Sequence, residues 1–205
     1  MAKIGCIAVA AILVILALVG VGSYNRLVSA EEAVDSQWSQ VENVYQRRAD
    51  LIPNLVATVR GSANFERDTL TAVVEARSRV GQVTTTAGRD ITEDPQAFQR
   101  FQQAQDQLSS ALSRLLVVVE RYPELRSTEA FQNLMVQIEG AENRIATERR
   151  RYNEVAQGYN AQVRRFPAGL FAGLMGFERK EYFRSQPGAE NAPKVDFETA
   201  PATPR

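Results

Sequence analysis

The sequence predicts an all-α protein, a helical bundle behind an N-terminal transmembrane helix. Three observations predict it. Residues 4–22 form a run of 19 residues without a charge, rich in Ile, Val, Leu and Ala. From residue 23 to about 166, apolar side chains recur every three or four positions with few prolines between them. That spacing builds one face of a helix. No run alternates apolar and polar residues with the period of two that a half-buried strand shows.

Composition narrows the chemistry. The 205 residues hold 24 Lys+Arg, 24 Asp+Glu, no histidine and a single cysteine, Cys6. Without histidine there is no Ser-His-Asp or Cys-His relay, no His-containing zinc site and no Glu-x-x-His di-iron bundle. One cysteine excludes a disulfide framework and an all-cysteine zinc site. No GxxxxGK[ST] or GxGxxG motif occurs, so phosphate-binding loops of those kinds are absent. The balanced charge gives no footprint of a nucleic-acid binder. The expectation is a protein that is not an enzyme, needs no cofactor and holds no metal.

The first segment, residues 1–22, is expected to be the anchor. At a rise of about 1.5 Å per residue its 19 uncharged residues span roughly 28 Å, close to the hydrocarbon core of a bilayer. A cleaved signal peptide is the rival reading, with Gly20-Val21-Gly22 as a small-x-small site, but the apolar core exceeds the usual length. Cys6 lies within the span and lacks the preceding apolar run of a lipobox. Lys3 on one side and Arg26 on the other give little orienting bias.

Residues 23–184 are expected to form the bundle. Leu27, Ala30, Val34, Trp38, Val41 and Tyr45 lie on one face of the first helix. At Pro53 that helix is expected either to kink or to stop and restart with Asp50 as cap, because proline lacks an N–H and disfavours helix at the residue before it. The helix then continues to about Val80 through Leu70, Val73 and Val74. Residues 81–94, with three consecutive threonines, read as a loop. Asp94-Pro95 is an N-cap followed by a first-turn proline, opening a helix that carries Phe98, Phe101, Leu108, Leu112, Leu115 and Val119 and stops near Tyr122-Pro123. Ser127 or Thr128 caps the last helix. Its seam is Phe131, Leu134, Ile138, Ala141, Ile145, Glu148, Tyr152, Val155, Tyr159, Gln162 and Phe166. Such a seam serves as a bundle core face or as an exposed coiled-coil interface.

Two segments are candidates for binding. Arg47, Arg48, Asp50 and Asn54 bracket Pro53; they either satisfy backbone groups that the proline frees or form a polar pocket for a ligand. Residues 166–177 hold no charge over twelve positions. They are too few to span a bilayer and too apolar for a solvated loop. Phe166, Leu170, Phe171, Leu174 and Phe177 are therefore expected to pack back on the bundle or to meet the membrane or a partner. Arg149-Arg150-Arg151 beside Glu148 and Glu154 is expected to form short-range ion pairs. Residues 185–205, rich in Pro, Ala, Thr and Glu, read as a disordered tail.

Tyr24-Asn25-x-Leu27-Val28, Trp38-Ser39-Gln40-Val41 and Arg47-Arg48-x-Asp50-Leu51-Ile52-Pro53-Asn54-Leu55-Val56 resemble the signature of the bacterial LemA family. Tyr152-Asn153, Tyr159-Asn160, Phe166-Pro167, Gly176-Phe177 and Phe183 agree with it. The resemblance covers about residues 4–184. It implies a four-helix, up-and-down, bromodomain-like bundle on a membrane helix, and it favours a break and restart at Pro53. It also implies a cytoplasmic bundle, and a magnetosome-associated branch of the family suggests roles at membranes. It carries over no catalytic residue. The expected partners are the lipid bilayer through residues 4–22 and a protein partner or second copy at the membrane, with no nucleic acid. The expected role is a structural or protein-interaction module, with ligand sensing at the Pro53 pocket as the alternative.

Overall fold

A computed structural model describes residues 2–61, 66–87 and 89–184. The expected tail at 185–205 and the side chain of Cys6 lie outside the described residues. Six helices follow in order: α1 (Ala2–Arg60), α2 (Arg67–Ala87), α3 (Pro95–Val119), the single turn α4 (Pro123–Arg126), α5 (Glu129–Arg164) and α6 (Ala168–Met175). A 3₁₀ turn, Arg89–Thr92, precedes α3. There is no strand among the described residues. The four long helices alternate in direction, so α5 runs antiparallel along α1 and α3 along α2. This is the up-and-down bundle.

The first half of α1 is the one described helix apolar and long enough to cross a membrane. Its side chains from Ala10 to Val19 are exposed. From Leu27 onward the helix turns one stripe inward: Leu27, Val34, Trp38, Val41, Tyr45, Arg48, Ile52, Leu55 and Val59 are all buried. From Val34 on, the intervals alternate between four and three and keep their phase straight through Pro53.

That continuity corrects the expected kink or restart. Pro53 lies inside an unbroken helix, exposed on its outer face. Its ring nitrogen cannot donate to the carbonyl of Ala49, which would normally leave an orphan acceptor. Arg77 of α2 supplies the missing donor, with its Nε 2.9 Å from the Ala49 oxygen. The break falls instead at Gly61, and α2 begins at Arg67.

Other boundaries move for local reasons. α2 continues through the expected loop to Ala87. Thr84 is accommodated by donating its hydroxyl to the Val80 carbonyl one turn back, at 2.9 Å. Val73 is buried but Val74 points to solvent. α3 ends at Val119, close to the expected stop near Tyr122-Pro123, and Leu125 of α4 then closes the core. Asp94 caps α3 as expected, its side chain accepting from the Gln96 N–H at 2.8 Å. Thr128 caps α5. The α5 seam is a core face, with Phe131, Ile138, Ala141, Ile145, Tyr152 and Tyr159 buried. Its polar member Glu148 accepts from Gln37 of α1 at 2.8 Å. Phe166 lies beyond the helix end and is 79% exposed, so the seam ends before it.

The interior has two clusters. One is aromatic, built on Trp38, Phe98, Phe101 and Tyr152, and includes Phe183 from beyond α6. The other is largely aliphatic, built on Ile52, Leu55, Val59, Val73, Leu108, Leu115 and Ile138. Arg48 lies between them on the α1 stripe.

Because Pro53 and Arg77 serve the same carbonyl, their substitutions should not add. Arg77→Ala is expected to cost about 1–3 kcal/mol by leaving the Ala49 acceptor unpaired. In a Pro53→Ala background, where an N–H returns to that carbonyl, the same change should cost clearly less. Equilibrium unfolding of the four proteins in a mild detergent measures the coupling; additive costs would contradict this role for Arg77.

Candidate functional site

The structure does not bring the four residues around Pro53 together. Arg47, Asp50 and Asn54 are exposed. Asp50 caps nothing; its carboxylate accepts from Gln46 one turn earlier, at 2.8 Å. Arg48 turns the other way and is 1% exposed. Its guanidinium donates to Ser109 at 2.8 Å, to Glu142 at 2.7 Å and to Gln105, and it lies 5.3 Å from the centre of the Tyr45 ring. Three helices thus converge on one buried cation. Stripe phase is the signal that separates Arg48 from its neighbours. It stands three residues after Tyr45 and four before Ile52, in a position otherwise filled by apolar side chains.

A second feature escapes sequence periodicity. After α6 the chain passes as an extended strap back along α5 and α3. Asn160 donates its side-chain amide to the Lys180 carbonyl at 2.8 Å and accepts the Lys180 N–H at 2.9 Å. Asn153 treats Phe183 the same way, with both bonds at 2.9 Å. Seven residues of helix rise about 10.5 Å, and three residues of extended chain cover about 10 Å. The repeated Tyr-Asn pairs of α5 therefore match the strap in register, the tyrosines facing the core and the asparagines holding its backbone. On the strap's other edge the Glu181 N–H donates to the Thr92 carbonyl at 2.8 Å.

Two strap side chains fasten it. Phe183 stacks on Trp38, with ring centres 5.9 Å apart, and Arg149 covers it from outside at 4.6 Å. Arg149 is thus occupied with the strap, while Arg151 makes the expected short-range pair with Glu148 at 2.9 Å. The Lys180 ammonium is buried between Glu93 and Glu31, the latter 3.2 Å away. Burial alone would lower its pKa, but hydrogen bonds to the two carboxylates outweigh that and hold it above the usual lysine range. Burial, and then the nearby Glu31, raises the Tyr159 hydroxyl well above its ordinary value. Both groups therefore keep their protons at neutral pH.

The apolar segment at 166–177 divides in two. Phe171 packs its ring on Gly20 of α1, where a Cβ would come within 3.2 Å of it. Phe177 meets Tyr24 edge-on, with ring centres 5.9 Å apart. Phe166, Leu170 and Leu174 are 79%, 64% and 84% exposed. Gly169 permits the tight turn out of α5, since a Cβ there would lie 3.0 Å from the Val163 carbonyl. Gly176 ends α6 in the left-handed conformation at φ 78°. The ring contacts of Phe171 and Phe177 place the segment against α1 around Gly20 to Tyr24, with Leu18 beside its start. From Gly20 to Tyr24 is about 6 Å of helix rise, at the end of the uncharged stretch.

Among the described residues no three His, Cys, Asp or Glu side chains converge as a metal site would require. The LemA family model matches residues 37–197. The chain belongs to the LemA family. Among its relatives, Magnetosome protein MamQ 2 of Paramagnetospirillum magneticum is 31% identical over 82% of this chain and 66% of its own length. The match thus spans just under two thirds of that relative. Magnetosome protein MamQ of Magnetospirillum gryphiswaldense is 27% identical over 88% of this chain and 72% of its own. Protein LemA of Metamycoplasma hominis is 21% identical over 88% and 75%. The matched region of this LemA-family chain contains Arg48 with its partners and the whole strap.

The Arg48 cluster has unequal halves. Its guanidinium is sealed, whereas the Glu142 side chain is 40% exposed. Glu142→Ala would leave a charge buried among neutral partners and is expected to cost about 3 kcal/mol. Arg48→Met would leave a carboxylate that reaches water and should cost less. Urea unfolding of both variants checks the order; the reverse order would contradict the burial of Arg48 as described.

Proposed function

We propose that this chain is a single-pass membrane protein whose cytoplasmic bundle acts as a structural or protein-interaction module. A single observation carries the reading. α6 holds an exposed apolar face beside the membrane-length part of α1, locked there by Phe171 on Gly20. Leu170 and Leu174 form that face, with Phe166 just before the helix and Met175, 48% exposed, at its edge. Transferring these side chains from water is worth on the order of 5 kcal/mol. That is enough to seat α6 against a bilayer without a charged residue, and α6 has none.

In this reading Phe171 and Phe177 tie α6 to the anchor, and the other three meet lipid. The bundle then has two attachments to one leaflet, the emerging α1 and the in-plane α6. A cytoplasmic side is supported by the arginines at this end. Arg26, Arg164 and Arg165 lie close to the membrane boundary, where an anionic leaflet attracts basic side chains. The magnetosome proteins among the relatives fit a role at a membrane surface. The module's own partner, a second copy or another protein, would dock on the bundle that this arrangement holds out.

The test uses the full chain in vesicles. With Trp38→Phe as background, Leu170→Trp places a single indole on α6. Brominated lipid is expected to quench it strongly and to leave wild-type Trp38, buried in the bundle, largely unquenched. Equal, weak quenching of both would show that α6 stays in water.

A further inference from the structure

A groove of about 1000 Å³ opens between α1 and the turn after α5, on the side of α1 away from the Tyr24–Phe177 contact. Leu18, Val19 and Phe166 line one part, and Arg26, Gln162 and Arg165 another. No Asp or Glu lines it. Neither the Arg26 nor the Arg165 guanidinium has an ion-pair or hydrogen-bond partner among the described residues. Other arginines here are committed: Arg48 to Glu142, Arg77 to a carbonyl, Arg121 to Glu66 and Arg151 to Glu148.

The groove's position selects its occupant. Leu18 lies within the uncharged stretch, and Arg26 is the first charge after it. The eight residue steps from one to the other rise about 12 Å. That height reaches from the hydrocarbon edge through the headgroup layer, which is roughly 5–7 Å thick on each side of a bilayer. We propose that the groove binds one anionic phospholipid. Its phosphate is met by Arg26 and Arg165, and its first acyl carbons lie along Leu18, Val19 and Phe166. Two planar guanidiniums suit phosphate oxygens. With no acid to balance them, they favour a headgroup of net negative charge over a zwitterionic one. The proposal rests on the membrane reading above and adds a defined lipid class and two specificity residues.

Native mass spectrometry of the full chain, stripped of lipid in a mild non-ionic detergent, tests it. Phosphatidylglycerol, phosphatidylcholine with the same acyl chains, and inorganic phosphate are titrated separately. One phosphatidylglycerol should be retained per chain at a concentration about tenfold below that needed for phosphatidylcholine, the scale of one to two basic contacts. In Arg26→Gln/Arg165→Gln that preference should vanish, and each single variant should lose part of it. Arg150→Gln, outside the groove, should change nothing. Helix content and thermal midpoint confirm that the variants fold, and the single variants carry the test if the double variant does not.

Equal retention of the two lipids by the wild type would overturn the proposal. So would undiminished selectivity in the double variant, or an equal loss in Arg150→Gln. Retention of inorganic phosphate as tight as that of phosphatidylglycerol would make a soluble anion the occupant and overturn the lipid assignment. The membrane reading fails separately, if alkaline carbonate strips the wild-type chain from vesicles whatever their headgroups.

Discussion

The backbone ladder of α1 sets the geometry of everything else. It lacks one bond, at Pro53, but the helix is continuous from Ala2 to Arg60, so its apolar half and the wall of the bundle are one rod of about 88 Å. The bundle cannot tilt against that rod without breaking hydrogen bonds that each helix turn needs. α6 is therefore held at a fixed height along it, with the Phe171 ring on Gly20 and, just past the helix, the Phe177 ring on Tyr24. Pro53 is the weak point of the ladder, and a side chain from the neighbouring helix closes it. Arg77 thus both repairs α1 and ties α2 to it, where few other bonds join the two.

Arg48 and the strap give the bundle its register. A slip of one turn between α1 and α5 would carry Glu142 away from a guanidinium that has no route to water. Slipping the strap by one residue would break the paired bonds at both Asn153 and Asn160, because three residues of strap span the same length as seven residues of helix. These polar contacts are few, but they separate and close two apolar clusters that would tolerate sliding by themselves.

What the sequence made legible followed from local chemistry. Asp94-Pro95 and Thr128 cap where their side chains reach their own backbone, and the α5 seam is periodic within one helix. The LemA resemblance was carried by strings whose purpose only the fold explains. Pro53 misled because its effect is set by Arg77, 24 residues on. Arg48 looked like one of four polar neighbours until the stripe phase was followed past the proline. The strap has no periodicity to read, since its order comes from asparagines on α5 rather than from its own residues. The division of 166–177 into two aromatics facing α1 and three apolar side chains facing out depends on which residues of α1 it crosses.

The height of α6 and the position of the Arg26–Arg165 groove both follow from α1 being one rod. Spin labels at Glu32→Cys and Arg60→Cys, in a Cys6→Ser background of the full chain, measure this directly across Pro53. Both positions are exposed on α1. Pulsed electron–electron distance measurement should give a narrow distribution near about 42 Å, the rise of 28 helical residues. A distribution centred below about 30 Å, as a chain reversal at Pro53 would give, would contradict it.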